Sequence, residues 1–590
     1  MRGELKRLAF AALLILLCAS RGSEAGDFRP VDVEGLRILF DSEWVMQTAP
    51  GYVPVRLDIT NLGDTRVIDI VADGNRYHRF MSGRPPRVQV LQTLRMARGD
   101  RVRITIPVPV MDDSENYRFE IQENGRTLEA FAYQGFRSGI PGANASALIV
   151  ANSSSAFGSV ADSLPRPDAS GRTVVPGMRT AIPKHDFVLD PSRLPVNWLG
   201  YTSVRAVLIG PDEWLALDDP QRGALLTWTA CGGDLIFVSA DPMPLIGGGH
   251  RAPDGQPDGA PHAYFFGRVH RRSTSSIVSA GLVSVLADAE KVQDANFGLP
   301  ANRMGYWSGT DTRGFRLTIP GVHGVPTRAY LSILVVFSLL IGPINYWLLR
   351  RGQRLVLFVL TVPVVSAIFI VLLAGYVVAG EGFHVSGRAA TFTMIDEARK
   401  QAVTRGSASL YAAGMTPAGG LRFPRDVAVY ALGSDGTGSK DNQMLDLTET
   451  QQFSSGIIHA RAPTNLEEIA FRSARERLTF ARDGAGFTVV NGLGARIEHL
   501  AYRHGGAAYT LDAPLAAGAT GRLRPGATDA TAFVPRDLPA LGRFTFLFKA
   551  QPDNTYLAVL DQSPFWEPGA KGVIERGSFH LVLGWPDGQP

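Results

Sequence analysis

Cysteine is almost missing from this chain of 590 residues: there are two, Cys18 and Cys231. Cys18 falls in an N-terminal leader, so the mature chain keeps one thiol and forms no intramolecular disulfide. Its stability then has to come from packed cores. Charge is also scarce and balanced, with 59 Lys and Arg against 55 Asp and Glu and a net charge of +4. There is no long basic run and no interleaving of aromatic with basic residues, so no nucleic-acid partner is expected. Gly-x-Ser-x-Gly, His-Glu-x-x-His and the phosphate-cradling Gly-x-x-x-x-Gly-Lys-Ser/Thr are all absent. The sequence therefore offers no nucleophile elbow, zinc-binding helix or nucleotide loop, and implies no cofactor.

Two long apolar runs are present instead, residues 329–349 and 355–379, separated by Arg350-Arg351-Gly352-Gln353-Arg354. Each is long enough to cross a hydrocarbon core of ~30 Å. Positive charge near span ends stays in the cytoplasm, so Arg350, Arg351 and Arg354 determine the topology. The long segments before and after the hairpin then share the opposite side. Neither run carries a charged side chain, which argues against an ion or proton pathway. Pro343 and Pro363 are expected to bend the spans. Asn345, the strongly polar interior residue, is expected to hydrogen-bond between helices.

The N-terminus fits the same layout. Arg2, Lys6 and Arg7 precede a short apolar stretch, and Ser23-Glu24-Ala25 offers a cleavage site before Gly26, so residues 1–25 form a signal peptide. An uncleaved leader would leave the sidedness unchanged. Leu17 stands where a lipoprotein signal needs a small residue before its cysteine. The expected location is a bacterial inner (cytoplasmic) membrane, with both large domains outside the cytoplasm.

With 63 glycines and 38 prolines the chain is globular and turn-rich. Residues 27–140 alternate apolar and polar, as in Val53-Pro-Val-Arg-Leu-Asp-Ile-Thr and Arg101-Val-Arg-Ile-Thr-Ile, with Asn, Gly and Asp turns between. That pattern predicts a β-sandwich. Residues 145–314 change character. Apolar runs near Leu148, Val207 and Ile236 suit strands buried on both faces. Between the last two, Asp219 as cap, Pro220 in the first turn and Gly232-Gly233 as stop predict a helix. Strand, helix, strand in this rhythm predicts an α/β unit with a parallel sheet. Residues 380–590 alternate again, near Leu410, Val429, Val489, Phe546 and Leu581, and predict one or two antiparallel sandwiches. Glu467, Glu468, Arg472, Arg475 and Arg477 are expected as solvated charge at strand ends.

The stretch Pro195-Val-Asn-Trp-Leu-Gly-Tyr, then Ala206-Val-Leu-Ile, Leu225-Leu226-Thr-Trp228 and Gly232-Gly233-Asp-Leu-Ile-Phe-Val resembles the class I glutamine-amidotransferase-like fold. More narrowly, it resembles degenerate versions in bacterial envelope membrane proteins of unknown function. Those carry a paired span like Gly342-Pro343-Ile344-Asn345-Tyr346 and end in a β-rich domain with strands similar to Phe487-Thr-Val-Val-Asn491. The resemblance implies a multidomain membrane protein: N-terminal β-sandwich, amidotransferase-like domain, two-helix hairpin and C-terminal β-rich domain. Its catalytic half does not carry over, because Cys231 falls at the end of a helix rather than on a strand-to-helix elbow. Nothing near it in sequence would lower its pKa, so it is expected to be a buried structural thiol.

Ligands of parallel sheets often bind at the carboxyl edge. Asp212, Asp241 and His250 follow presumed strands there and are the candidate ligand-binding residues, although such carboxylates also start turns and cap helices. His250, His262 and His270 have irregular spacing in a Gly/Pro-rich context, which suits a surface loop better than a metal site. Two functions from different classes remain open. One is a non-enzymatic, membrane-anchored envelope protein whose exported domains bind a protein or envelope partner. The other is a membrane-anchored hydrolase or amidotransferase-like enzyme with an unrecognised site.

Overall fold

The computed structural model describes residues 30–41, 44, 51–76, 87–110, 115–133, 147–151, 172–173, 182–183, 186–204, 206–239, 261–273, 317–322, 327–353, 355–381, 384–414, 416–417, 419–432, 443–526 and 551–587. Most of this is β-sheet. Val31–Val33, Leu36–Asp41, Gly51–Asn61 and Arg101–Val110 form one antiparallel sheet in that order. Its alternation places Leu57 and Ile59 in the core, while Asp58 on the outer face pairs with Arg101 and Arg103. The turn after Gly51–Asn61 is fixed by the buried Asn61 side chain. Its amide donates to the carbonyls of Asp64, Met96 and Ala97, and its oxygen accepts from Gly63 N.

Arg66–Arg76, Arg87–Met96, Glu115–Glu123 and Arg126–Tyr133 build a second sheet. Phe40 from the first sheet lies 4.9 Å from Phe131 and 5.3 Å from Phe119 of the second, ring centre to ring centre. The second sheet does not end there. Leu421–Phe423, Gln443–Asp446 and Gln451–Ser455, all from beyond the helical hairpin, extend it to seven strands. Gln443–Asp446 runs parallel to Arg87–Met96, with Gln443 opposite Val88 and Asp446 opposite Leu91. Leu447 N donates to Leu91 O at 2.8 Å and Thr93 N to Thr448 Oγ1 at 3.1 Å. Residues 27–140 and 380–590, separate units in the sequence reading, therefore share a sheet.

The α/β region holds a six-stranded sheet. Asp186–Leu189, Ala147–Val150, Ala206–Ile209, Asp234–Val238 and Gly267–Arg272 are parallel in that order, and Pro261–Tyr264 adds an antiparallel edge. Helix α1 (Pro211–Ala216) and helix α2 (Asp219–Ala230) connect the third strand to the fourth. The cap of α2 is Asp218, one residue earlier than expected. Its carboxylate accepts from Gln221 N at 2.7 Å while the Gln221 side chain accepts from Asp218 N. Gly232 and Gly233 stop the helix as expected. A Cβ on Gly233 would sit 2.4 Å from the Trp228 ring, so glycine is what lets the indole pack there.

Apart from a short antiparallel pair, Arg172–Thr173 with Ile182–Pro183, the remaining strands form one twelve-stranded sheet. Val385–Asp396 is buried along its whole length. Gln401–Ala412 flanks it antiparallel and Phe579–Trp585 flanks it parallel. Strands occur where alternation placed them, at Val427–Leu432 and Gly486–Gly492, but this parallel pair departs from a purely antiparallel layout. The run around Phe546 lies outside the described residues. Of the charge expected at strand ends, Arg475 and Arg477 are exposed at the start of Arg477–Asp483, but part of it is placed differently. Glu468 is buried in the middle of Pro463–Ser473, and Arg472 stacks 4.6 Å over Phe565. Trp566 lies over Gly406, the neighbour of Glu468 in the sheet, so a carboxylate expected in solvent is enclosed.

Two apolar helices long enough to cross a membrane complete the fold, within Leu331–Arg351 and Leu355–Leu373. The first comprises α3 (Thr327–Leu339), a π-helical turn Leu340–Ile344 and α4 (Asn345–Arg351); the second is α5 (Phe358–Glu381). Pro343 lies in the π turn, where its missing N–H and ring bulk open the helical ladder. Asn345 Nδ2 donates to Thr361 Oγ1 at 2.9 Å, the interhelical bond expected of it. Val356 and Val359 are 88% and 81% exposed, so the hairpin turns apolar side chains outward rather than into a protein core.

Candidate functional site

The register of the parallel sheet brings the carboxyl ends of five strands to one edge, because Leu189, Val150, Ile209, Phe237 and Arg271 stand in one row. Asp190 follows the first strand, and its carboxylate accepts from Ser192 N at 2.9 Å and Ser192 Oγ at 2.6 Å, capping the turn Pro191–Arg193. Gly210-Pro211-Asp212 follows the third. Asp212 lies at the expected edge, exposed in the first turn of α1, where a carboxylate complements the helix dipole. Ser239 follows the fourth, its N–H bonded to Arg272 O at 3.0 Å. Asp241 and His250 lie outside the described residues, as does Arg354 of the hairpin loop. The candidate ligand set is thus represented by Asp212 alone.

The opposite edge of the same sheet holds the chemistry around Cys231. The thiol is buried at the C-cap of α2, and burial pushes its pKa well above the ordinary value. A thiolate is therefore disfavoured there. Asp234 opens the next strand and receives a buried, bidentate pair from Arg268, with Nε and Nη2 each at 2.8 Å. His270 Nε2 stands 3.7 Å from the same carboxylate. Burial raises the Asp234 pKa, but His270 and Arg268 outweigh it and hold the carboxyl below the usual range. This cluster is packed into the core, where a bidentate pair satisfies two charges that would otherwise be costly to bury.

A second buried constellation was not visible in the sequence. Across the twelve-stranded sheet, His580, Thr391, Gly406 and Glu468 stand in one row. Thr391 Oγ1 lies 2.9 Å from His580 Nδ1, and His580 Nε2 lies 3.2 Å from Glu575 Oε2. Burial raises the Glu575 carboxyl, yet hydrogen bonds from His580 and Ser578 bring it below its ordinary value. Hydroxyl, imidazole and carboxylate in this order form a proton relay in principle. Thr391 and His580 are 1% and 0% exposed, however, and Trp566 lies across Gly406, with Cδ1 3.3 Å from the position of a glycine Cβ. The relay is closed, and it ties residues 561–578 to the sheet. No periodic signal announces it, because Thr391 and His580 meet through a parallel pairing between distant segments.

Contacts also run between the parts of the body. Tyr52 OH donates to Val429 O at 2.8 Å, and Trp198 Nε1 donates to Asp426 O at 2.7 Å. Phe266 meets Phe392 edge to face at 5.5 Å. Asp41 bridges Arg56 at 2.6 Å and Arg193 at 2.8 Å in a small recess also lined by Trp44 and Pro54. Among the described residues, no group of three or more His, Cys, Asp or Glu side chains is placed to hold a metal ion.

No protein-family model matches the chain, and no curated protein matches it. Among solved structures, a calcium-binding mutant of Bacteroides uniformis beta-glucuronidase 2 is similar over 36% of this chain, at 11% identity and a TM-score of 0.12. The match spans 24% of that protein's chain. A likeness this slight carries no argument about fold or activity.

Proposed function

We propose that this chain is a non-enzymatic, membrane-anchored envelope protein of a bacterial inner membrane, whose body outside the cytoplasm binds a protein or envelope partner. The observation that carries this reading is the seven-stranded sheet built from both flanks of the apolar hairpin. Two helices that leave one body and return to it fit a double crossing with both flanks on one side. Arg350, Arg351 and Arg354 would keep the connecting loop in the cytoplasm. We read the parallel sheet with α2 as a degenerate amidotransferase-like domain and the first sheets as a β-sandwich. The enclosed Cys231 supports a domain whose catalytic function is lost. A membrane-anchored hydrolase is the second reading, and the observation in its favour is the Thr391–His580–Glu575 chain.

Reporter fusions test the anchoring. Reporters placed after Gly380 and near Gly314 should both be active outside the cytoplasm, and cytoplasmic activity at either point breaks the topology. Activity-based thiol and serine/threonine probes on the full chain separate the two functions. Labelling that Thr391→Val abolishes would establish the enzyme; co-purification with a defined partner, unaffected by that change, supports the binding protein.

A further inference from the structure

We infer that residues 571–576 form a foot on the lipid headgroup layer, with Ile574 at the apolar boundary and Lys571 and Arg576 over lipid phosphates. The inference rests on the membrane reading above and adds a second point of contact to it. Helix α5 has 24 residues, about 36 Å at ~1.5 Å per residue, against a hydrocarbon core of ~30 Å. Its last turn therefore reaches the headgroup layer. Ser386 follows Glu381 by five residues, which is at most about 17 Å of extended chain. Thr327, where the first helix begins, follows Val322 by the same interval. Two short tethers thus draw one end of the body down to the membrane.

That end is built from three segments. Ile574–Glu575 pairs parallel with Ser386 and Gly387. Buried Arg388 joins the other two, with Nε donating to Gly577 O at 2.8 Å and Nη1 to Thr318 O at 2.9 Å. Arg576 N donates to Gly387 O, and Arg576 Nη2 lies 3.4 Å from His384 Nε2. Val573 turns inward, its Cγ1 2.7 Å from where a Cβ on Gly387 would stand. Ile574 consequently turns outward and is 46% exposed. The carboxylate of Glu575 is directed back to His580 at 3.2 Å, and with Lys571 and Arg576 the segment keeps a net charge of +1. An outward isoleucine between two cations beside two membrane helices matches an anionic phospholipid surface, with the apolar group at the boundary and the cations at phosphate.

The test uses the full chain carrying Cys18→Ser in nanodiscs of mixed phosphatidylglycerol and phosphatidylethanolamine. Cysteine replaces Ile574, Ile368 or Val490 one at a time and carries a fluorophore. Val490 is the distal control, because it stands opposite Thr479, beside the Leu478 N–H that binds Glu397 beyond the far end of Val385–Asp396. Headgroup nitroxides should quench the label at 574 and spare the one at 490, and acyl-chain nitroxides should quench the one at 368. A label at 574 that behaves like that at 490, with 368 quenched, overturns the foot and leaves the anchor standing. An unquenched label at 368 overturns the anchor and the foot with it. Replacing phosphatidylglycerol by a zwitterionic lipid should weaken quenching at 574; unchanged quenching overturns the role given to Lys571 and Arg576.

Discussion

Glu468 makes the fold's stability depend on pH. It stands in the middle of Pro463–Ser473, opposite Gly406 on one side and Val429 on the other, and is 7% exposed. Burial, reinforced by the negative charge of Glu567 and opposed by Trp566, pushes its carboxyl from 4.5 up to about 8. A carboxyl raised in the folded state binds its proton more tightly there than in the unfolded chain. Its contribution is fully present below pH 4.5 and is lost as pH rises through about 8. At about 1.4 kcal/mol per pH unit between those values, ionisation costs the fold about 5 kcal/mol. That is a large part of the total of about 5–15 kcal/mol typical of a domain. Glu397 works in the same direction: burial outweighs the donors Leu478 N, Tyr556 OH and Asp587 N and raises it to about 7.

Glu468→Gln keeps the shape of the side chain and removes the ionisation, and its amide can donate towards Glu567. Thermal unfolding of the purified full chain in detergent, followed by tryptophan fluorescence across a pH series, reads the effect. The parent should lose stability steadily from about pH 5 to about pH 8.5, and the variant should lose markedly less. Near pH 5 the two should agree within about 1 kcal/mol, and near pH 8.5 the variant should be the more stable by several kcal/mol. A parent that melts equally well across the series, or a variant with the parent's slope, refutes the reasoning.

Asn345→Ala removes the hydrogen bond to Thr361 and should lower stability by about 1 kcal/mol, the usual worth of a polar contact between membrane helices, measured as a fall in melting temperature in micelles. Tyr52→Phe should cost about 1–3 kcal/mol, because the hydroxyl that accepts from Val429 N–H and donates to Val429 O is lost inside the body. Limited proteolysis should then cut faster around residues 420–455; an unchanged rate would count against the contact between the flanks.

Much of the fold is legible in the chain where one face is wet. The second half of Gly51–Asn61, from Val55 on, and Gly486–Gly492 alternate because one side of each is less covered than the other. Helix α2 announces itself through Pro220 and Gly232-Gly233, and only its cap is displaced, since Asp218 and Asp219 are adjacent candidates and the capping partner Gln221 decides between them. Legibility fails where both faces are covered. Val385–Asp396 contains Arg388, Thr391 and Thr393 yet is buried throughout, so polarity no longer reports exposure. The burial of Glu468 and His580 depends on residues 561–578, which no local pattern connects to them. Of the candidate site, Asp212 was placed at its edge by strand order alone, and its exposure there depends on the turn that follows.

The shared seven-stranded sheet recasts what the hairpin does for the body. Arg87–Met96 has Arg66–Arg76 on one side, and its other side is filled by Gln443–Asp446 from beyond both apolar helices. Without that strand it would be an open edge, and such edges invite pairing with other chains. The long separation between the two strands is a small obstacle, because closing a loop costs only about 0.6 kcal/mol more for each doubling of its length. The hairpin reduces even that, since two antiparallel helices return the chain close to where it left. Arg388 then locks the point of return by bonding Thr318 O before the hairpin and Gly577 O after it. The apolar hairpin therefore acts as a turn within a single β-rich body, and the flank after it completes a sheet begun by the flank before it.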